Sequence, residues 1–85
     1  MELRLTRSFE RDYSALPKTV QGQLDRKLVY LLGNPRHPSL QTKKMEGRPN
    51  LWEGRISKHW RFTFEISDNK YILRRAGTHD ILRNP

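Results

Sequence analysis

The chain has 85 residues and carries 17 Lys and Arg against 9 Asp and Glu, a formal net charge of +8. We expect one domain over residues 1–85, because a chain of this length buries only roughly 60–65% of its unfolded surface, which excludes a large multi-site enzyme. The absence of cysteine excludes disulfides, thiolate metal sites and cysteine nucleophiles.

The charge predicts an anionic partner, such as nucleic acid, the ribosome or an acidic protein segment. In some small proteins a high charge serves solubility alone. The longest apolar run, residues 28–32, is too short for a bilayer crossing, and the N-terminal sequence MELRLTRSFE lacks the apolar core of a signal peptide. We therefore expect a cytoplasmic protein that does not bind membranes.

The first elements are predicted to be a strand and a short helix. Leu3 and Leu5 alternate with polar residues over 2–6, which is the period of a half-buried strand. Ser8 is the predicted N-cap of the helix that follows, and Pro17 ends it. The apolar residues of this helix recur every three or four positions: Phe9, Tyr13 and Leu16.

A second helix is predicted after Pro17, with one apolar stripe along it. The stripe is formed by Val20, Leu24, Leu28, Leu31 and Leu32. Polar and charged residues over 21–27, Lys27 among them, are expected mainly off the stripe. Gly33 and Asn34, which tolerate a left-handed backbone, and the helix breaker Pro35 predict the end of this helix. The two helices are therefore expected to form a hairpin.

The second half of the chain has the pattern of an antiparallel meander. Residues 36–49 are a predicted loop with a short edge strand around 41–45, and strand-like runs follow at 51–57, 60–66 and 71–76. The middle run places its aromatic residues on one face and Arg61, Thr63 and Glu65 on the other. Arg55 of the preceding run also lies off the aromatic face.

These elements predict an α+β fold. An N-terminal strand and a two-helix hairpin pack on one face of a mainly antiparallel sheet of about four strands. The opposite face is expected to be open and to carry the arginines.

The order of these elements, together with two sequence segments, resembles the RelE/ParE superfamily of bacterial toxins from type II toxin–antitoxin modules. The two segments are LWEGRISKHWRFTFEI and the closing RRAGTHDILRNP. The most specific parts are the W-x-x-R-I and W-R-F-T-F segments and the GTHD segment, and the likeness covers essentially the whole chain. The resemblance implies a toxin that cuts mRNA on the ribosome without a metal or other cofactor. It also implies silencing by a cognate antitoxin protein that wraps around the toxin.

The resemblance assigns roles to four residues. Arg61 matches an arginine that contacts the scissile phosphate, and Arg55 matches a basic position on the neighbouring strand. His79 in GTHD matches a histidine of the YoeB-like and YafQ-like branches. His37 lies near the position where those branches place a Glu or His that acts as base.

Two departures from the pattern keep alternatives open. Glu53 stands where RelE has a lysine, and it is either a proton-transfer group or, as we expect, the ion-pair partner of Arg55. No aromatic residue follows the last strand. This absence leaves a ParE-like gyrase inhibitor and an inactive RNA-binding domain as alternatives to the nuclease.

The residue types suit RNA cleavage by attack of the 2′-OH. Histidine exchanges protons near neutral pH, which suits His37 and His79, and guanidinium groups clamp phosphate oxygens. Other basic residues are expected to contact the RNA backbone: Lys43, Lys44, Arg48, Lys58, Arg75 and Arg83. The three histidines lack the close spacing of a zinc site, so no metal is expected. His59, in a predicted hairpin turn, is expected to be exposed to solvent.

Overall fold

The computed structural model describes all 85 residues as two helices and a five-stranded sheet. The helices are α1 (Arg7–Ala15) and α2 (Lys18–Gly33). The strands are β1 (Glu2–Leu5), β2 (Lys43–Lys44), β3 (Leu51–Ser57), β4 (Trp60–Ser67) and β5 (Lys70–Thr78). Two 3₁₀ turns complete the chain at Pro38–Leu40 and His79–Arg83. Neither helix has the length and apolar character needed to span a membrane.

The sheet has the strand order β1-β5-β4-β3-β2. β1 pairs with β5 in parallel, and every other pair is antiparallel. The predicted α+β fold with a mainly antiparallel sheet is confirmed, with five strands where about four were expected. The fifth is the two-residue strand β2, which falls within the predicted edge strand at 41–45.

α1 begins two residues earlier than the sequence suggested. Thr6, with an extended backbone (φ −82°, ψ 163°), is the N-cap, and its Oγ1 accepts the N–H of Phe9 at 3.1 Å. The prediction of Ser8 as N-cap is wrong because β1 ends at Leu5 and Ser8 already lies in the first helical turn. Thr6 Oγ1 also donates to the carbonyl of Leu73 at 2.9 Å, so one side chain both caps α1 and ties it to β5.

α2 buries a narrower stripe than predicted. Val20, Leu24 and Leu31 are buried, whereas Leu32 is 44% exposed. Each residue of an α-helix advances about 100° around the axis, so Leu31 and Leu32 cannot both face the core. The helix ends at Gly33, as predicted, but neither Gly33, which is helical, nor Asn34, with φ −151°, adopts a left-handed backbone.

One hydrophobic cluster joins both helices to the aromatic face of the sheet. Phe62 and Phe64 are its central sheet residues, and both are essentially inaccessible. Gly54 lies opposite Phe62 on β3, and a Cβ added there would lie 2.5 Å from the Phe62 ring. The glycine therefore makes room for the ring, which explains why an interior strand position lacks a side chain.

The opposite face of the sheet is not fully open, contrary to the prediction. Thr63 on that face is fully buried, and the 3₁₀ turn His79–Arg83 packs over β4 and β5 through Ile81. A Cβ at Gly77 would lie 2.8 Å from Ile81, so this contact is tight. The uncovered part of the face is reduced to the β3–β4 side, where Arg55 lies.

A register shift in β5 leaves Arg74 outside the regular pairing with β4. Thr63 pairs with Arg75 and Phe64 with Leu73, so Arg74 is an extra residue between the two pairs. Beyond Leu73, β5 has no strand beside it on the β1 side, and α1 packs there instead.

Asp12 of α1 supplies hydrogen-bond acceptors to the part of β5 that has no strand beside it. Its carboxylate accepts the backbone N–H of Ala76 at 3.0 Å and the Nε of Arg75 at 2.7 Å. A helix side chain thus replaces the missing strand partner.

Candidate functional site

The sheet places two arginines directly opposite each other. Arg55 of β3 and Arg61 of β4 are register partners, and both are half-buried. Like charges at facing positions of an antiparallel pair repel each other. Neither arginine belongs to an ion pair, so the pair is a site of positive potential that favours an anion.

The guanidinium of Arg61 is held by the turn between β3 and β4. Its Nη1 donates to the carbonyls of Ser57 at 2.7 Å, Trp60 at 3.0 Å and Lys58 at 3.3 Å. These contacts fix one end of the guanidinium. The acceptors are neutral carbonyls, so the positive charge of Arg61 is not neutralised by a carboxylate. The other nitrogens make no hydrogen bond and remain donors for a ligand.

Arg55 is held by a neutral side chain. Its Nη1 donates to Oε1 of Gln41 at 3.3 Å. The prediction that Glu53 is its ion-pair partner is wrong, because Glu53 lies opposite Lys43 of β2 and no ion pair joins Glu53 to Arg55. Gln41 reaches this position from the loop with a left-handed backbone (φ 44°) directly after the first 3₁₀ turn.

His79 lies at the same end of the sheet as Arg61. The register pairs Trp60 with Thr78 and Arg61 with Gly77, so His79 follows directly from the β5 end beside the β3–β4 turn. It is exposed and begins the second 3₁₀ turn. The His79 imidazole is therefore accessible to solvent at this end of the sheet. His59, in the β3–β4 turn, is also exposed, as expected.

His37 is built into the loop after α2. Its Nδ1 accepts the backbone N–H of Ser39 at 3.2 Å and lies 2.8 Å from Ser39 Oγ. Its ring stacks on Tyr30, with centroids 3.9 Å apart. Because Nδ1 accepts from a backbone N–H, the neutral ring carries its proton on Nε2. In this arrangement His37 can donate a hydrogen bond through Nε2. It has no free ring nitrogen with which to act as a base, because Nδ1 is occupied by Ser39.

The basic residues predicted to track RNA fall into two groups. Arg75 is half-buried, paired with Asp12 and bonded to the carbonyl of Asn84 at 3.0 Å. The others are exposed and belong to no ion pair: Lys43, Lys44, Arg48, Lys58 and Arg83. Lys44 and Arg48 line an open hollow of about 490 Å³ in the β2–β3 loop. Backbone contacts by these exposed residues stay a prediction.

Sequence reasoning missed Lys27 of α2. It follows Leu24 by three residues and precedes Leu31 by four, so it lies on the apolar stripe and not off it. Burial and the nearby charges of Arg55 and Arg26 lower the pKa of its ammonium group. The helical spacing of Leu24, Lys27 and Leu31 is the sequence signal that could have placed Lys27 on the stripe.

No group of three or more His, Asp or Glu side chains is arranged to hold a metal ion. The candidate residues at this end of the sheet, Arg55, Arg61 and His79, are donors that suit an anion.

No family model and no curated protein matches the sequence. Solved structures match closely in shape. YafQ from E. coli strain BL21(DE3) has a TM-score of 0.79 at 15% identity, over 94% of each chain. A YoeB/ParE toxin from Agrobacterium tumefaciens has a TM-score of 0.80 at 18% identity, over 93% of this chain and 99% of that one. The RelB-RelE antitoxin–toxin complex from Methanococcus jannaschii gives 0.79 at 16% identity, over 95% of each chain.

This chain has the RelE-type toxin fold. Within that fold, the segments that carried the sequence resemblance lie together: β3 and β4 hold Arg55 and Arg61, and the end of β5 leads to His79. The RelE-type fold therefore brings three of the four candidate residues to neighbouring positions, while His37 lies on the loop after α2.

Proposed function

We propose that this chain is the toxin of a toxin–antitoxin module and cleaves mRNA on the ribosome in the cytoplasm. One observation carries the proposal: within a RelE-type fold, Arg55 and Arg61 face each other without a carboxylate partner, beside the exposed His79. A protein that needed these arginines only for stability would be expected to neutralise them, as it does Arg74 and Arg75.

The proposed chemistry is attack of a ribose 2′-oxygen on the adjacent phosphorus. The new P–O bond forms as the bond to the 5′-oxygen breaks, which leaves a 2′,3′-cyclic phosphate and a 5′-hydroxyl. The 2′-OH proton passes to a base, and the 5′-oxygen receives a proton from an acid. Arg55 and Arg61 stabilise the charge on the five-coordinate phosphorus, and no step needs a metal.

The contacts favour particular roles for the histidines. His79 is exposed at the Arg61 end and is the proposed acid for the 5′-oxygen. His37 holds its Nδ1 on Ser39, so a role as base requires it to release that contact when substrate binds. In its present state it is a hydrogen-bond donor through Nε2.

The test is cleavage of a defined mRNA in a purified translation system, mapped by primer extension with and without ribosomes. We expect cuts only on translated mRNA. His79→Ala should slow cleavage by roughly 10²–10⁴-fold, the usual contribution of a positioned acid. His59→Ala is the matched control, because it removes another exposed histidine at the same end of the sheet and should leave the rate unchanged.

Arg61 needs two variants because its guanidinium also holds the turn carbonyls. Arg61→Ala and Arg61→Lys should both lose most activity, since an ammonium group lacks the planar donor fork. Circular dichroism must show that each is folded. Full activity of folded His79→Ala and Arg61→Ala would refute the assigned site, and an intact mRNA with the unaltered protein would refute the nuclease.

A gyrase inhibitor is the second candidate. The segment after β5 is His79–Arg83, with sequence HDILR, and it contains no aromatic residue to stack on an RNA base. This candidate predicts inhibition of plasmid supercoiling by purified gyrase and double-strand breaks, with mRNA left intact.

We also propose an antitoxin protein as the partner. One similar structure is a RelB-RelE complex and another is a DinJ-YafQ complex. The net charge of +8 on this chain suits an acidic or amphipathic antitoxin segment that covers the basic surface.

A further inference from the structure

A cleft between α2 and β3 gathers cations that the proposed reaction does not use. Its volume is about 220 Å³, and its lining is Gln23, Arg26, Lys27, Tyr30, Ser39 and Ile56. None of these residues is acidic, and neither Arg26 nor Lys27 belongs to an ion pair. A water molecule takes about 30 Å³ of liquid, so the cleft has room for a group of several heavy atoms.

Lys27 is positioned in this cleft by the neighbouring loop. Its Nζ donates to the backbone carbonyl of Ser39 at 3.1 Å, which uses one of three ammonium protons. Ser39 in turn contacts His37, and the His37 ring stacks on Tyr30. The amine is therefore held at a defined place, with two protons left for a ligand.

The cleft is electrostatically continuous with the arginine pair. Burial lowers the pKa of Lys27, and the nearby charges of Arg55 and Arg26 lower it further. Arg55 is the register partner of Arg61. Positive charge thus extends from the β3–β4 turn, across Arg55, to α2.

We propose that the α2–β3 cleft is a second phosphate subsite for single-stranded RNA, in which Lys27 and Arg26 bind a backbone phosphate adjacent to the one bound by Arg55 and Arg61. This inference rests on the proposed function for the identity of the anion. A phosphate in the cleft relieves the repulsion between Lys27 and Arg26, because both gain an opposite charge within hydrogen-bonding range. Lys27 is a binding residue that positions the strand and takes no part in proton transfer.

The test is binding of a fluorescently labelled single-stranded RNA of about 12 nucleotides, within the usual range of single-strand site sizes, by anisotropy at several salt concentrations. Lys27→Gln should weaken binding roughly tenfold, since it removes a charge-assisted hydrogen bond. It should also reduce the slope of log K against log salt by about 0.7, the value for one phosphate of a single strand. Lys27→Arg should restore most of the affinity.

Lys18→Gln is the matched control. Lys18 is an exposed residue at the start of the same helix, and it changes the net charge equally. Nine residues of α-helix separate it from Lys27 by about 13 Å, beyond the screening length at 0.1 M salt. At that salt it should shift affinity by no more than about twofold.

The outcomes separate this inference from the function on which it rests. The subsite is refuted if folded Lys27→Gln matches Lys18→Gln in both affinity and salt slope, or if the unaltered chain does not bind the RNA. If the unaltered chain binds the RNA with the expected Lys27 effect but leaves ribosome-bound mRNA intact, the subsite stands and the nuclease proposal fails.

Discussion

Four arginines of the sheet differ in what holds their guanidinium groups. Arg74 and Arg75 each contact a carboxylate, at 2.6 and 2.7 Å. Arg55 and Arg61 contact only neutral oxygens. A carboxylate neutralises a guanidinium and competes with a phosphate for its donors, whereas a carbonyl only orients it. The partner of each side chain therefore separates structural arginines from candidate binding arginines.

Asp12 is the residue whose loss should destabilise the fold most clearly among the charged side chains. Asp12→Ala removes the acceptor for the Ala76 N–H and leaves Arg75 without its carboxylate. We expect the free energy of unfolding to fall by about 2–4 kcal/mol, measured by urea denaturation. Asp12→Asn keeps an acceptor and should cost only about 1 kcal/mol.

Glu10→Ala is the control for this prediction, because Glu10 is an exposed acid on the same helix without an ion pair. It should change the free energy of unfolding by less than about 0.5 kcal/mol. Equal effects of Asp12→Ala and Glu10→Ala would contradict the role of Asp12 at the edge of β5.

Lys27 should make stability depend on pH in the alkaline range. Burial, with the charges of Arg55 and Arg26, lowers its pKa in the folded chain below the ordinary 10.5. Between these two pKa values the unfolded chain binds more protons, so folding becomes more favourable as pH rises. The free energy of unfolding of the unaltered chain, minus that of Lys27→Met, should increase with pH in this window and stay constant below it.

This difference is measured by urea denaturation at a series of pH values. Subtracting Lys27→Met cancels Tyr13, whose pKa is raised chiefly by its hydrogen bond to Asp25 and which is present in both chains. A difference that is flat or falls with pH would show that the folded environment does not disfavour the charged amine.

At the scale of elements, β3 and β4 depend on one close approach. Gly54 lies opposite the fully buried Phe62, and an added Cβ would lie 2.5 Å from the ring. We expect Gly54→Ala to lower the free energy of unfolding by about 1–3 kcal/mol, because the fully buried ring can make room only by displacing its neighbours.

Gly22→Ala makes the matched comparison within α2. Nothing lies within 4 Å of a Cβ at Gly22, and the position is inside the helix. Alanine there should raise the free energy of unfolding by about 0.5–1 kcal/mol, since it restricts the unfolded chain more than glycine does. Thermal unfolding of the two variants should shift in opposite directions, and a shift in the same direction would contradict the packing described for β3.

Several elements followed from sequence periodicity, but the start of α1 and the buried face of α2 did not. Strict alternation located β3 and β4, and the stripe of leucines located α2. The N-cap of α1 was missed because Ser8 and Thr6 are both good capping residues, and the end of β1 selects between them. The exposure of Leu32 was missed because an apolar residue next to the stripe looks the same in sequence as one on it.

At the scale of the whole molecule, three ion pairs use three of the 17 Lys and Arg residues, those of Lys70, Arg74 and Arg75. Most of the remaining cations are exposed, and a few concentrate between α2 and the β3–β4 turn. A surface with this distribution attracts polyanions at long range and binds them at a defined place. The same charge repels itself, so an acidic partner would stabilise the folded chain by mass action.

The sequence by itself determined the class of fold, the order of the elements and the excess of positive charge, because periodicity and composition are local properties of a chain. Only the tertiary structure decided which cations are neutralised. Arg75 finds Asp12 from 63 positions away, Glu53 does not reach Arg55, and Lys27 faces a cleft formed with a loop 12 residues on. Ion pairing and burial depend on distances between remote segments, which the register of β5 and the packing of α2 set.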